Sequence, residues 1–147
     1  MAEVTRKEVI LALVSATAPR LAGVDLSAIN LARLDFANAN LRGANISGSN
    51  LQEALLRAAN LTGVNLAASQ LPYADLNAAN MAMANLQGAN LTGARLTGVN
   101  LSNADLSGAN LTSATLTGAN VTGVKFNENT IWPDGKKGSA SNPSKYV

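Results

Sequence analysis

The residue types that most often carry catalysis are scarce in this chain. It contains no histidine and no cysteine, so it lacks the side chain that titrates near neutral pH, the thiolate nucleophile and the usual zinc ligands. Its nine carboxylate side chains stand singly along the sequence, whereas paired acid–base catalysis needs two carboxylates within about 10 Å of each other. We therefore expect no catalytic residue, no cofactor, no metal site and no small-molecule substrate.

Charge is also too sparse and too balanced to indicate a nucleic-acid partner. Charged residues make up 14% of the chain, against roughly 25% in an average domain. Residues 21–131 hold five basic and six acidic side chains, which gives neither a basic stripe for phosphates nor the dense acidity of a DNA mimic. No apolar run approaches the roughly 18 residues that a membrane-spanning helix requires, so no membrane contact is expected.

The sequence is organised by a five-residue repeat, the pentad. Every fifth position from Leu21 to Ile131 is apolar, 23 positions in all; the residue two before it is usually Ala, and the residue just before it is usually Asn or Asp. This period fits neither an isolated helix nor simple strand alternation. It fits a unit in which three consecutive side chains point inward, outward and inward and the next two residues form a bend. Ten of the twelve glycines lie in these bends. Such units must stack on one another to bury their apolar residues.

The unit Ala-[Asn/Asp]-Leu-[Ser/Thr]-Gly resembles the pentapeptide-repeat family, and the ending Thr130-Ile131-Trp132-Pro133-Asp134-Gly135 is similar to one that closes its members. The resemblance implies an all-β fold: a right-handed quadrilateral parallel β-helix with four pentads in each coil. Residues 21–133 would form about 5.5 coils stacked about 4.8 Å apart. The resemblance also suggests a bacterial source, such as a cyanobacterium.

Residues 1–20 are predicted to form an N-terminal capping helix, with its helical part at 5–18. Thr5 and Glu8 have the spacing of a capping box, and Pro19 ends the helix. The apolar face consists of Val9, Ile10, Leu13, Val14 and Thr17. Residues 1–18 also fit a signal peptide, but Glu3 and Glu8 offset the basic charge. We expect a cytoplasmic protein, with export to the periplasm or thylakoid lumen as the alternative.

The far end of the repeat carries bulky residues. Phe126, Ile131 and Trp132 are candidates for a C-terminal cap or a dimer contact, so the expected state is a monomer or a weak homodimer through an end of the rod. Residues 134–147, rich in Gly, Ser, Lys, Asn and Pro, are predicted to be a flexible tail.

A smooth repeat has no cleft, so departures from the repeat are the candidate sites. With four pentads per coil, Asp35, Leu55, Asp75 and Arg95 stack in one outward column, in which Leu55 replaces the usual Asn. The candidate interaction patch is Leu55, Arg57, Tyr73, Asp75 and Arg95. The alternative is neutral drift on a tolerant surface.

Three functions are compatible with the sequence. The first is a non-enzymatic structural or protein-interaction module that binds an unidentified protein. The second follows from the resemblance, because some members of the family mimic DNA and bind gyrase, but such members are typically acidic. The third is ice or polysaccharide binding through threonines stacked as Thr92 over Thr112 and Thr97 over Thr117.

Overall fold

The computed structural model describes residues 4–147. One α-helix, α1, spans Arg6–Val14, and two short 3₁₀ helices, Gly138–Ala140 and Pro143–Lys145, lie near the C-terminus. Between them the described chain forms no extended strand. Instead, single paired residues recur every five positions, because each bend leaves room for only one bridge per side.

The pairing joins residues four pentads apart in parallel, from Arg20 with Asn40 through to Asp105 with Lys125. Each coil therefore has four sides with one bridge on each. The hydrogen bonds follow a fixed pattern, in which Leu21 N–H donates to the Asn40 carbonyl over 2.7 Å and Asn40 N–H donates to the Pro19 carbonyl over 2.8 Å. The register that the family resemblance implied is thus present from residue 20 to residue 125.

The repeated apolar residues fill the axis of the coil. Leu61, Leu71 and Leu76 have no exposed surface, and the small residue two positions before most such centres is also buried. Each fully buried leucine stabilises the fold by about 2 kcal/mol. Ser49 and Ser69 take the place of the inward Ala, and their hydroxyls donate to the Leu26 and Leu66 carbonyls over 2.5 and 2.6 Å.

The corners explain the polar residues of the repeat. Asn or Asp at the bridge accepts a hydrogen bond on its side-chain oxygen from the N–H two residues later, as from Thr62 to Asn60 over 3.1 Å. This local turn is the typical use of these side chains. The next residue, which ends the corner, has a positive φ in every pentad from Gly23 to Gly123, and this conformation is least costly for glycine.

The predicted length of the N-terminal helix needs correction. The Thr5–Glu8 capping box is present, but α1 ends at Val14 and not at residue 18. The Ser15 hydroxyl donates back to the Ala12 carbonyl over 3.0 Å, and residues 15–18 leave the helix so that Pro19 can enter the first coil.

The predicted apolar face of α1 is also only partly correct. Val9 is buried against the first coil, and Ala12 and Leu13 pack there in part. By contrast, Ile10 and Val14 face away from the core, with 37% and 76% of their surface exposed. The contact face is therefore narrower than the sequence indicated, because it follows Val9, Ala12 and Leu13 alone.

The register shifts by one residue at the C-terminal end. Asn110 pairs with Ile131, one residue beyond the position that the regular spacing would select, so Ile131 occupies an outward bridge and not the predicted apolar centre. Trp132 takes the centre and is fully buried, whereas Phe126 remains 36% exposed. The extra residue lies in the turn at 127–130, where Asn127 N–H donates to the Thr130 hydroxyl over 3.2 Å.

The C-terminal segment differs from the predicted flexible tail, because it folds over the last coil. Trp132 Nε1 donates to the Gly138 carbonyl over 2.8 Å, and the Tyr146 ring stacks on Trp132 with centroids 6.0 Å apart. Tyr146 Oη and Lys145 Nζ both bond to Asp134, over 2.7 and 2.9 Å. These contacts close the open end of the core.

A candidate interaction surface

The centre of the predicted patch is a buried carboxylate. Asp75 exposes none of its side chain, yet Arg57 Nε bonds its Oδ2 atom and Arg95 Nη2 lies 3.1 Å from the same atom. Its other oxygen, Oδ1, accepts from Asn77 N–H over 3.2 Å. The sequence predicted stacking in this column, but it did not reveal the burial of Asp75, which depends on where the two long arginine side chains fold.

Both arginines remain accessible while they hold Asp75. Arg57 exposes 58% and Arg95 exposes 53% of its side chain. The three residues together carry one net positive charge, and the buried carboxylate fixes the direction of both guanidinium groups. Fixed guanidinium groups lose little further conformational entropy when they bind a planar acceptor such as a carboxylate.

Tyr73 lies beside this cluster in an unfavourable backbone conformation. Its φ is 58°, a left-handed conformation that costs a non-glycine residue about 1–2 kcal/mol. The side chain is 62% exposed, and its ring lies over Gly93 in the next coil, where an added Cβ would come within 2.5 Å of Tyr73 Cε1. A large aromatic side chain is therefore held on the outer wall of the coil.

Leu55 lacks the corner hydrogen bond that Asn or Asp supplies elsewhere. Its aliphatic side chain, 38% exposed, offers no acceptor, and within residues 4–147 the Arg57 N–H has no hydrogen-bond partner. Leu55 forms backbone bridges with both Asp35 and Asp75. The structure thus brings all five predicted patch residues to one side of the rod, and we call them the Tyr73 patch.

An ion pair continues the same surface toward the N-terminus. Arg33 Nε lies 3.3 Å from Glu53 Oε2, as their spacing of four pentads indicated. Hydrogen bonds from Gln52 and then from Arg33 lower the pKa of the Glu53 carboxyl. Both side chains are exposed, and such pairs contribute only about 0–1 kcal/mol to stability.

The three residues predicted to form a C-terminal cap or a dimer contact differ in burial and in pairing. Trp132 is buried beneath the C-terminal segment, and Phe126 meets it edge to face with centroids 5.2 Å apart. Ile131 lies on an outward bridge that also pairs with Lys137. These contacts fit a cap formed within the chain, and the dimer contact stays a prediction.

In one of the two predicted threonine stacks the hydroxyl donors are already occupied. Thr92 and Thr112 each donate to the side chain of the Asn two residues earlier, Asn90 and Asn110, over 2.7 and 2.6 Å. Their hydroxyl hydrogens therefore point along the surface of the protein. The Thr97 and Thr117 hydroxyls of the second predicted stack make no such bond within residues 4–147, so ice or polysaccharide binding stays a prediction.

Two further features of the described residues bear on function. In residues 4–147 no three acidic side chains lie close enough to hold a metal ion. No helix in the same range has the length and apolar character to cross a bilayer.

Comparison with known proteins places this architecture in a family. The sequence profile described as "Pentapeptide repeats" matches in eight copies, over residues 20–57, 59–98 and 89–128. The chain belongs to the pentapeptide-repeat family. Members of this family form right-handed β-helices, which agrees with the parallel pairing between bridges four pentads apart.

Solved structures of other pentapeptide-repeat proteins resemble this one. A pentapeptide repeat protein from the cyanobacterium Cyanothece 51142 is 33% identical, with a TM-score of 0.76 over 77% of this chain and 90% of that chain. One from Nostoc PCC 7120 is 42% identical, with a TM-score of 0.51 over 58% of this chain and 74% of that chain.

The comparisons are less informative about a specific role. QnrB1, a plasmid-mediated fluoroquinolone resistance protein, is 20% identical, with a TM-score of 0.34 over 74% of this chain and 77% of that chain. It is too distant to bear on the function of this pentapeptide-repeat protein. No curated protein matches the chain.

Proposed function

We propose that this pentapeptide-repeat protein is a non-enzymatic protein-interaction module and that the Tyr73 patch is its contact surface. The observation that carries the proposal is the buried Asp75 carboxylate, which fixes Arg57 and Arg95 on the outer wall. Members of the family generally serve as structural or interaction modules, and the rod supplies a rigid support for such a surface.

The composition of the Tyr73 patch suits protein recognition. Tyrosine and arginine are enriched among the residues that dominate binding energy at protein interfaces. Tyr73 and the two arginines are held in place before binding, so little conformational entropy would be lost on complex formation. Leu55 adds a partly exposed apolar surface in the coil before Asp75.

The patch also departs from the repeat at a cost in stability. Leu55 leaves the corner N–H of Arg57 without an acceptor within residues 4–147. The net positive charge of the Arg57–Asp75–Arg95 cluster favours a partner that presents carboxylates beside an apolar side chain.

DNA mimicry receives no support from this surface. A mimic of the phosphate backbone needs rows of uncompensated negative charge, whereas the buried Asp75 is neutralised by two arginines. The gyrase-binding alternative therefore has no observation in its favour.

An affinity experiment tests the proposal. The wild type would be compared with a Leu55→Asn/Tyr73→Gly double variant, which alters the Tyr73 patch but keeps the arginines that stabilise Asp75. Met83→Gly is the matched control, because Met83 has the same 62% exposure and the same φ of 58° on the diagonally opposite corner.

The proposal predicts that a protein retained from a lysate of the source organism by the wild type and by Met83→Gly is lost with the double variant. Retention of the same proteins by all three would show that the Tyr73 patch is not the contact surface. Circular dichroism would establish that each variant is folded.

A further inference from the structure

The first coil has an open backbone edge. In later coils the bridge residue turns both its N–H and its carbonyl toward the preceding coil. Asn60, for example, donates to Ala39 over 2.9 Å and accepts from Leu41 over 2.8 Å. The carbonyl two residues later also accepts, as Thr62 does from Gly43 over 3.0 Å. The first coil has no predecessor to supply these partners.

One side of this edge is closed by a side chain that imitates the missing coil. Arg6 of α1 donates from Nη1 to the Asn30 carbonyl over 2.6 Å and from Nη2 to the Ala32 carbonyl over 2.9 Å. These carbonyls occupy the same two positions that accept backbone N–H groups in every later coil. The edge therefore binds hydrogen-bond donors when they are offered in this spacing.

The following side is not closed. Asp35 N–H, the Asp35 carbonyl and the Ala37 carbonyl have no hydrogen-bond partner among residues 4–147. The chain that would run opposite them, residues 14–18, instead leaves the end of α1 and turns away. An exposed edge of this kind readily pairs with an extended segment from another chain.

A groove of about 410 Å³ lies along this side, between the end of α1 and the first coil. Its apolar wall is formed by Ile10, Leu13, Val14, Pro19 and Leu34.

The charged side chains that line the groove are Asp35 and Arg33, and Arg33 is paired with Glu53 over 3.3 Å. The Asp35 carboxylate has no ion-pair partner within residues 4–147. The carboxyl-terminal end of α1 carries partial negative charge, and its last turn contains no basic residue. A basic occupant is therefore favoured over an acidic one.

We propose that this edge, from Leu34 to Ala37, binds an extended segment of a partner protein as an additional parallel strand. The segment donates one main-chain N–H to the Asp35 carbonyl and another, two residues later, to the Ala37 carbonyl. It also accepts from Asp35 N–H. This repeats the pattern by which residues 19–23 pair with the second coil.

The same pattern fixes which side chains fit. The residue opposite Asp35 points outward beside the carboxylate, so it is Lys or Arg, because opposite charges in this position attract. The next residue points into the groove and is aliphatic. The chain itself pairs Arg20 with Asn40 beside the buried Leu21, and it pairs Arg95 with Asp75 beside the buried Leu96.

A second copy of this chain is a poorer occupant. Edge-to-edge pairing at this side would place two Asp35 carboxylates opposite each other, and like charges in that position are destabilising. The basic–aliphatic segment of a different protein satisfies both the charge and the main-chain pattern.

Peptide titration tests the inference on the full chain. The probe is acetyl-Ala-Arg-Leu-Thr-Gly-amide, and binding is followed by NMR on isotope-labelled protein at up to about 5 mM peptide, the range suited to a weak short peptide. Expected shifts are confined to amides of residues 34–38 and to methyl groups of Ile10, Leu13 and Val14.

Two matched peptides separate the main-chain and charge contributions. Methylation of the leucine nitrogen removes the donor to the Asp35 carbonyl and should abolish binding. Replacement of the peptide arginine by glutamate should weaken binding up to about 5-fold, and this preference should disappear in the Asp35→Asn protein.

No shift at the highest peptide concentration, shifts at other surfaces, or unchanged binding of the methylated peptide would each overturn the inference. The edge adjoins the Tyr73 patch, because Leu55 bridges Asp35. The two proposals have different readouts, which are peptide-induced shifts at residues 34–38 and partner capture that depends on Leu55 and Tyr73, so the failure of one leaves the other standing. An Asp35→Asn protein that still captured a Tyr73-patch partner would demonstrate that independence.

Discussion

Arg95 places its Nη2 atom 3.1 Å from Oδ2 of Asp75, and the carboxylate has no exposed surface whereas Arg95 is more than half exposed. This asymmetry predicts unequal effects of substitution. Removing both arginines, in Arg57→Gln/Arg95→Gln, takes away both ion-pair partners and also the side chains that cover the carboxylate. Because water can then reach Asp75, the free energy of unfolding should fall by about 1–3 kcal/mol, less than for a charge that stays buried. Asp75→Asn should cost only about 1 kcal/mol, because the arginines can turn to water.

Urea denaturation followed by circular dichroism measures both effects. Arg42→Gln, an exposed arginine on the same rod, is the control for loss of an arginine alone. Equal losses for the two Asp75-cluster variants would contradict the predicted dependence on burial.

Leu55→Asn should stabilise the protein. Asn at this position restores the acceptor for the Arg57 N–H that other bridge residues provide, and one such hydrogen bond contributes about 1 kcal/mol. The measurement is the shift of the urea midpoint, with Leu55→Ala as the control that removes the leucine without supplying an acceptor. A gain in both variants, or in neither, would refute the role of the corner hydrogen bond.

Arg6→Gln should loosen α1. The substitution removes the two donors that close the Asn30–Ala32 side, and hydrogen bonds involving a charged group contribute about 1.5–3 kcal/mol. Amide hydrogen exchange should become faster within residues 6–14. The adjacent, exposed Lys7→Gln is the matched control and should leave exchange unchanged. Equal exchange in Arg6→Gln and the wild type would show that α1 is held by its apolar contacts alone.

Gly138→Ala should open the C-terminal cap. An added Cβ would lie 2.6 Å from the Glu128 Cα, a backbone atom that cannot move aside. Gly135→Ala is the control, since it also has a positive φ but meets nothing within 4 Å. Gly135→Ala should lower the free energy of unfolding by only about 1–2 kcal/mol, the cost of a positive φ in a non-glycine residue. Fluorescence of Trp132, the one tryptophan, reports on the cap, and an equal response of the two variants would contradict the contact.

The cap should also loosen in acid. Hydrogen bonds from Tyr146 and then from Lys145 hold the pKa of Asp134 well below its usual range. A lowered folded-state pKa stabilises the cap above the unfolded value of about 3.9, and this contribution is lost as pH falls below that value. Trp132 fluorescence should change over this acid range in the wild type and much less in Asp134→Asn. Identical acid profiles would show that Asp134 does not govern the cap.

The regular part of the fold is predictable because burial and spacing agree there. Leu at every fifth position predicted the core, and the family resemblance supplied the coil of four pentads. The C-terminal shift was not predictable from spacing, because Phe126 and Ile131 keep the apolar rhythm. What decides the register is the turn at 127–130 and the larger surface that Trp132 can bury.

The candidate surface was only partly predictable. Stacking of the column from Asp35 to Arg95 follows from the coil length. The burial of Asp75 does not, because it depends on the conformations of two long arginine side chains. The open edge beside Asp35 was also hidden, since it follows from α1 ending at Val14 instead of continuing toward Pro19.

The positive-φ corner recurs every fifth residue, so a change in the number of pentads affects the buried and the outward side chains differently. Deleting a single pentad would keep every apolar residue in the core, yet it would rotate all later outward residues by a quarter turn about the rod. Adding or removing a whole coil would instead preserve each column. Evolution can therefore rearrange the faces of such a protein by small insertions or deletions without redesigning its interior.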